Sequence, residues 1–418
     1  MEGSRIYNTP MPHFWLTGFC QGWVVPILSG IALLLPTTPV QAVPRTPIAD
    51  AEVLETLPER AADSTSRELA RLRAAMAQAP ADPAAATELA QRYFDLAMAR
   101  GDPRYIGYAE AMVNRFTQAL RPELLTLRGM LRQYRHDFAG GLDDFASALK
   151  LDPDHAIAHA WRGAIFLVQA DTVAAQAECD ALQRLGRATL AGGCRGLALA
   201  YSGKLEAGYQ ALQQALSLST DEGNRLWLLT RLAEVAAWQG QPQKAQKHYR
   251  DALQLGRDDV YFLAAWSDFL LDQHQPDEVV RLLARWEASD SLLLRLAEAE
   301  TTLKLPAAAR HQQMMADRFA AARARGDTTH RAEEARFELR LRGDAKTALR
   351  LARENYAVQL EPRDARVLLE AALAVQDSRA AQSALDWLNR SGFEDPQLRQ
   401  LARTLASSVK PAQPGSAP

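Results

Sequence analysis

A repeat with a period of about 34 residues occupies the middle of the chain and limits the folds that it can adopt. Gly129, Gly163 and Gly196 follow one another at this interval to within one position. Weaker units are centred on Ala233 and Ser267. Sixteen and nineteen residues after each centre lie apolar or small side chains, which are Phe145 and Ala148, Cys179 and Leu182, Leu212 and Ala215, Tyr249 and Ala252, and Leu283 and Trp286. A fixed period of this length indicates units that bury their apolar faces against their neighbours.

The clearest unit, residues 124–153, predicts two short amphipathic helices joined by a tight turn. Leucines and a tyrosine recur at steps of three and four in its first half, as on one face of a helix. Asp137 is suited to cap the second helix, and Pro153 ends it. Gly129 in the middle of the first helix costs about 1 kcal/mol relative to alanine. This cost indicates a packing role, namely the close approach of a second helix.

This pattern resembles the tetratricopeptide repeat. Gly129, Phe145, Ala148 and Pro153 match preferred positions of that family, and the match departs from the family at Arg132 and Gly141. The resemblance implies an all-α fold, a right-handed α-solenoid of helical hairpins. It is strongest in 122–155 and 189–221.

The chain divides into five predicted segments. They are a signal peptide at 1–42, a disordered linker at 43–63, the N-terminal part of the solenoid at 64–290, degenerate hairpins with a capping helix at 291–408, and a disordered tail at 409–418. The apolar run 22–35 is shorter than the roughly 20 residues that span a bilayer. Val40, Gln41 and Ala42 form a cleavage site. We therefore expect export, to the periplasm if the source is bacterial, with no stable membrane span after cleavage. A retained anchor is the alternative.

Composition and motifs argue against catalysis and nucleic-acid binding. The formal net charge is −2, without the basic bias that nucleic-acid binding favours. His155 and His159 have a metal-binding spacing, but no third ligand lies nearby in the sequence. No phosphate loop or GxSxG motif occurs. The sequence therefore predicts no enzyme, no metal and no cofactor.

The resemblance also implies which residues face the concave surface of the solenoid. The predicted groove residues are Tyr134, Leu167, Val168, Leu197, Tyr201, Trp227, Glu234, Trp238, Tyr261, Asp268 and Asp272. This groove is apolar and aromatic and turns acidic toward Asp268 and Asp272. Such a groove suits a peptide or protein partner, so we expect a non-catalytic interaction scaffold. The alternative is a glycan-handling envelope protein, for polysaccharide binding or as an export accessory, with sugars stacked on the aromatic rings.

Two further features allow sharper expectations. The segment 317–353 is dense in arginine and glutamate, and spacing pairs Glu333 with Arg336 and Glu338 with Arg342 on a solvated face.

Cys179 and Cys194 lie on helices that should pack together, and an exported protein meets an oxidising compartment. A disulfide between them and a pair of buried thiols both remain open.

Overall fold

The computed structural model describes residues 63–118 and 121–408, which lie in one compact unit. This part contains no strand and consists of twenty α-helices in antiparallel hairpins. They are α1 (Ser64–Gln78), α2 (Pro83–Arg100), α3 (Arg104–Val113), α4 (Pro122–Tyr134), α5 (Phe138–Leu151), α6 (Ala156–Val168), α7 (Thr172–Arg184), α8 (Ala188–Tyr201), α9 (Leu205–Leu218), α10 (Glu222–Trp238), α11 (Pro242–Leu253), α12 (Val260–Asp272), α13 (Pro276–Leu283), α14 (Asp290–Leu303), α15 (Ala308–Ala324), α16 (Arg331–Phe337), α17 (Ala345–Tyr356), α18 (Pro362–Val375), α19 (Gln382–Ser391) and α20 (Pro396–Ser408). None of these helices is long and apolar enough to cross a membrane. The predicted signal, linker and tail lie outside the described residues, apart from Asp63.

Aspartate side chains set the start of many helices. Asp137 accepts a hydrogen bond from the Gly140 N–H, as predicted, and so satisfies a backbone donor that the helix leaves free. Asp63 caps α1 in the same way and accepts a hydrogen bond from the Thr65 N–H. α3 ends at Val113 and continues as a 3₁₀ turn at Asn114–Phe116.

The repeat glycines permit close helix crossings. A Cβ atom added to Gly129 would lie 2.6 Å from the Phe145 ring of the partner helix. The equivalent atom at Gly196 would lie 2.6 Å from Leu212. In both hairpins the obstructing side chain is the first of the two apolar positions that the repeat pattern places after its glycine. The packing role predicted for Gly129 is therefore present in the structure.

A buried ion pair also recurs with the period of the repeat. Arg128 donates to Asp144 across the α4–α5 hairpin, and Arg162 donates to Glu178 across the α6–α7 hairpin. Arg132, which departs from the family pattern, adds a second cation 2.9 Å from Asp144.

The core forms two large clusters, one from Leu69 to Ile165 and one from Leu167 to Leu405. Between them lies a small cluster that includes Cys179 and Cys194, which the structure joins by a disulfide with Cα atoms 5.5 Å apart. The bond connects α7 to α8.

The C-terminal helices curve back and contact the concave side of the earlier repeats. We call residues 357–398, which contain α18 and α19, the closing arm. The Leu360 N–H donates to the Val168 carbonyl at 2.8 Å. The Phe393 ring packs 5.3 Å from the Trp238 ring. The predicted all-α solenoid is confirmed, but its groove is closed on one side by its own last hairpins.

Candidate functional site

The concave side of the solenoid encloses a cavity of about 1160 Å³. Its walls come from the first helices of the central hairpins and, on the opposite side, from α16 and the closing arm. All eleven predicted groove residues line it, namely Tyr134, Leu167, Val168, Leu197, Tyr201, Trp227, Glu234, Trp238, Tyr261, Asp268 and Asp272. These residues come from α4, α6, α8, α10 and α12. Whether these residues bind a partner stays a prediction.

One side of the cavity is apolar. It is formed by inward side chains of α2, α4, α6, α8 and α10, among them Phe94, Met130, Tyr134, Trp161, Val168, Leu197 and Trp227. Small residues leave room between these side chains. The Trp227 indole lies over Gly193, and a Cβ atom there would collide with the ring. Trp227 is only partly buried, so part of its ring is available to a ligand.

The other side is polar, and most of its carboxylates are neutralised within the protein. Asp268 accepts hydrogen bonds from Arg295 at 2.7 Å and from Arg336 at 2.6 Å. Burial alone would raise the pKa of Asp268, but these two arginines hold it well below its usual range. Asp272 is bound by Arg366. The expectation that the groove turns acidic at Asp268 and Asp272 is therefore wrong, because arginines from distant helices reach both groups.

Three other predicted groove residues also make internal contacts. Glu234 accepts hydrogen bonds from Arg231 at 2.9 Å and from the Tyr261 hydroxyl at 2.6 Å. The Arg231 guanidinium stacks on the Tyr261 ring, 4.2 Å from its centre. The Tyr201 hydroxyl donates to Glu361 of the closing arm at 3.3 Å. These polar side chains serve to hold the polar wall together.

Trp238 belongs with the closing contacts rather than with the free apolar wall. Its ring packs between Tyr201, at 5.9 Å, and Phe393 of the closing arm, at 5.3 Å. Its edge still lines the cavity. We therefore distinguish Trp238, which joins early and late repeats, from Trp227, which has no such contact across the cavity among the described residues.

The arginine- and glutamate-rich segment is solvated only in part: Arg323, Arg325 and Arg342 are exposed, but its middle turns inward. Arg336 is buried and bridges Glu298 and Asp268, not Glu333. Arg340 reaches Glu370 of α18 at 2.8 Å. A buried ion pair is stable when both partners are fully hydrogen-bonded, and the planar guanidinium groups of these arginines supply the N–H donors that this requires. The segment thus carries much of the polar wall.

Glu333 is a residue of the polar wall that no sequence pattern identified as part of a site. It lines the cavity, and apart from its own backbone N–H no residue in the described part of the chain donates a hydrogen bond to its carboxylate. Burial would raise its pKa, but nearby His330, Arg363 and Arg295 lower it. The helical spacing rule had assigned it to Arg336, and that rule ignores partners on other helices.

Each histidine of the spaced pair lies beside a carboxylate. His159 Nδ1 lies 2.6 Å from Glu178 Oε2, and His155 Nδ1 lies 3.5 Å from Asp152 Oδ2. The described residues contain no group of three or more histidine, cysteine, aspartate or glutamate side chains positioned to hold a metal ion.

These hairpins, their fixed period and the lined concave cavity define the chain as a tetratricopeptide-like α-solenoid. No protein-family model matches it, and no curated protein matches it significantly. Among solved structures, the chain matches the three that follow.

A tetratricopeptide repeat protein from Parabacteroides merdae shares 15% identity over 57% of this chain and 86% of that one, with a TM-score of 0.39. The Cut9–Hcn1 assembly of the APC/C shares 15% identity over 73% of this chain and 52% of that one, with a TM-score of 0.40. Yeast Tom70 shares 11% identity over 82% of this chain and 84% of that one, with a TM-score of 0.42. The chain spans about half the length of the Cut9–Hcn1 chain that it matches. These likenesses concern the fold alone.

Proposed function

We propose that this protein is an exported, non-catalytic scaffold that binds a segment of a protein partner in its concave cavity. The observation that carries the proposal is the division of the cavity into an apolar wall, on which Tyr134 and Trp227 are only partly buried, and a polar wall whose ion pairs are already formed. The cavity, at about 1160 Å³, exceeds the roughly 300–1,000 Å³ that is usual for small-molecule sites. Peptide segments commonly bind in apolar grooves between helices through a few anchoring side chains. Export rests on the signal-like sequence at 1–42.

The closing arm determines how such a segment enters. Because the arm covers one side of the groove, a partner reaches the cavity as an extended segment or a loop, not as a preformed broad surface. Tyr134 and Trp227, which are only partly buried, provide apolar anchoring positions in the cavity. Aromatic anchors in such sites often contribute about 2 kcal/mol or more each to binding.

Photo-crosslinking in cells of the source organism tests this proposal. A photoreactive amino acid at Ala164, which lines the cavity, should capture a defined partner, and mass spectrometry should map the crosslink to one short segment. The same amino acid at Val173, which is 81% exposed, is the matched control. Identical capture at both positions, or none at Ala164, would contradict binding in the cavity.

The glycan-handling alternative draws on the aromatic residues of the same wall. Trp161 and Trp227 line the cavity and could stack on sugar rings. Retention of the purified protein on an envelope polysaccharide matrix, lost in Trp227→Ala, would favour this alternative. Capture of one protein segment at Ala164, without retention on polysaccharide, would favour the scaffold.

A further inference from the structure

The charges that line the cavity do not balance. Nine carboxyl side chains and six arginines line it, without any lysine. Eight of these nine carboxylates accept a hydrogen bond from another residue. Asp290, for example, binds Arg318 at 2.7 Å, and Asp395 accepts from the Leu398 N–H at 2.8 Å. Glu333 is the remaining carboxylate, and no other residue of the described chain donates a hydrogen bond to its side chain.

Glu333 is charged and accessible from the cavity. The positive groups around it lower its pKa in spite of burial, so it is ionised at neutral pH. Arg295 is bound to Asp268 at 2.7 Å, and Arg363 is bound to Glu361 at 2.9 Å. His330 forms no hydrogen bond with Glu333 in the described part of the chain. An ionised carboxylate in a partly enclosed site is stabilised when a hydrogen-bonding cation reaches it.

Glu333 lines the same cavity as Tyr134 and Trp227 of the apolar wall. A ligand that fills this cavity therefore contacts the apolar wall and this carboxylate together.

An anionic ligand fits the same place poorly. Arg363 is the cavity arginine with the most open side chain, 53% exposed, and it uses one nitrogen for Glu361. A carboxylate or phosphate that approached it would also face Glu361 and Glu333. Like charges placed together in a partly buried site cost binding free energy, so this arrangement selects against acidic ligands.

We infer that the partner segment carries a lysine or arginine next to apolar side chains, with its cation paired to Glu333 and its apolar groups packed on Tyr134 and Trp227. This inference rests on the proposed function and specifies the chemistry of the partner. The cation supplies the hydrogen-bond donors that other residues of the described chain do not give to Glu333.

Selection from a random library of short peptides displayed on phage tests the inference. The wild-type protein should enrich peptides in which a basic residue neighbours an aromatic or aliphatic one. Glu333→Lys should lose this preference for basic residues. Glu338→Gln, which changes a glutamate on the same segment outside the cavity, is the control and should select as the wild type does.

Affinity measurements on the best peptide then isolate the ion pair. Fluorescence anisotropy should show binding about tenfold weaker for Glu333→Gln, equivalent to about 1.4 kcal/mol. A peptide with its basic residue changed to glutamine should bind the wild type and Glu333→Gln alike, which completes a double-mutant cycle. Circular dichroism checks that each variant is folded.

The proposed function and the cationic partner would fail in different ways. If Trp227→Ala abolishes peptide binding but Glu333→Gln has no effect, the cationic partner is wrong and the proposed function stands. Selection of peptides without basic residues would lead to the same conclusion. If the wild type enriches no peptide that Trp227→Ala fails to bind, the proposed function is wrong, and this inference with it.

Discussion

Arg366 and Asp272, 94 residues apart in the chain, form a two-pronged ion pair, with guanidinium nitrogens 2.6 and 2.7 Å from the two carboxylate oxygens. The pair ties α18 of the closing arm to α12 on the opposite wall. Arg366 also binds Glu370 on its own helix at 2.7 Å. The arm is therefore held against the early repeats by directed polar contacts in addition to its apolar core.

Arg366→Ala should destabilise the fold because it leaves Asp272 in a largely enclosed site without its cation. The side chains of Arg366 and Asp272 are 26% and 21% exposed. We therefore expect the free energy of unfolding to fall by about 2 kcal/mol, a value between those for buried and for surface ion pairs. Urea denaturation measures it. Arg281→Ala, which breaks the exposed pairs with Asp277 and Glu278, is the control and should cost less than about 1 kcal/mol. Equal losses in the two variants would show that the closing contact adds nothing.

The two tryptophans that the sequence grouped together should behave differently. Trp227→Ala should weaken binding of the captured segment at least about tenfold and leave the fold intact, because its ring faces the apolar wall. Trp238→Ala should lower the melting temperature, because it removes the contacts with Tyr201 and Phe393. Trp286→Ala, which changes a tryptophan that does not line the cavity, is the control and should leave binding unchanged. A loss of helical signal in Trp227→Ala would make that residue a structural one.

The hairpins were predictable, but the closing arm was not. Each hairpin follows from local spacing, since Gly129 and Phe145 belong to the same repeat unit and lie on adjacent helices. The contact between Tyr201 and Glu361 spans 160 residues. It depends on small rotations that accumulate from repeat to repeat, which no local pattern records.

Local spacing does not record contacts between distant repeats, and this also explains the wrong predictions at the site. Asp268 and Asp272 were correctly placed on the inward face, but their arginine partners come from α14, α16 and α18. Spacing along one helix suggested that Arg336 pairs with Glu333, and the curvature of the solenoid brings it to Asp268 instead. As a result, the sequence overestimated the open acidic surface. It also overlooked Glu333, the cavity carboxylate that no other residue of the described chain binds by a hydrogen bond.

Asp364 should make stability fall as pH rises. Burial raises its pKa to about 7; Arg363 and the hydrogen bond from Asn355 oppose the rise, and Glu361 and Glu333 add to it. Its ordinary pKa is 3.8, so between pH 4 and 7 the folded protein holds a proton that the unfolded chain has lost. The associated stability is full below pH 4 and is lost as pH rises through about 7.

Asp364→Asn should remove this pH-dependent contribution to the free energy of unfolding. Relative to the wild type, the variant should gain stability above pH 7, by at most about 4 kcal/mol, and should gain little near pH 4. Denaturation at a series of pH values measures the difference between the two proteins. A constant difference from pH 4 to 8 would show that Asp364 does not titrate in this range.

Gly129→Ala should destabilise the α4–α5 hairpin. The added Cβ atom would lie 2.6 to 2.9 Å from three atoms of the Phe145 ring, so ring or helix must move. We expect a loss of about 1–3 kcal/mol, as for other overpacked cores, and a larger loss for Gly129→Leu. Gly107→Ala is the control, because nothing lies within 4 Å of its added Cβ atom. Gly129→Ala with the same melting temperature as the parent would contradict the close crossing.

The disulfide between Cys179 and Cys194 should form in the mature protein if export takes it to an oxidising compartment. It closes a loop with a sequence separation of 15 and joins α7 to α8. In the chain-entropy model such a bond contributes about 3 kcal/mol, so reduction should lower the free energy of unfolding by about that amount. Thiol labelling of denatured, unreduced protein from its native compartment should find both cysteines blocked. The double variant Cys179→Ala, Cys194→Ala should lose the sensitivity to reductant. Two free thiols per mature chain would show that these cysteines pack as reduced side chains in the cell.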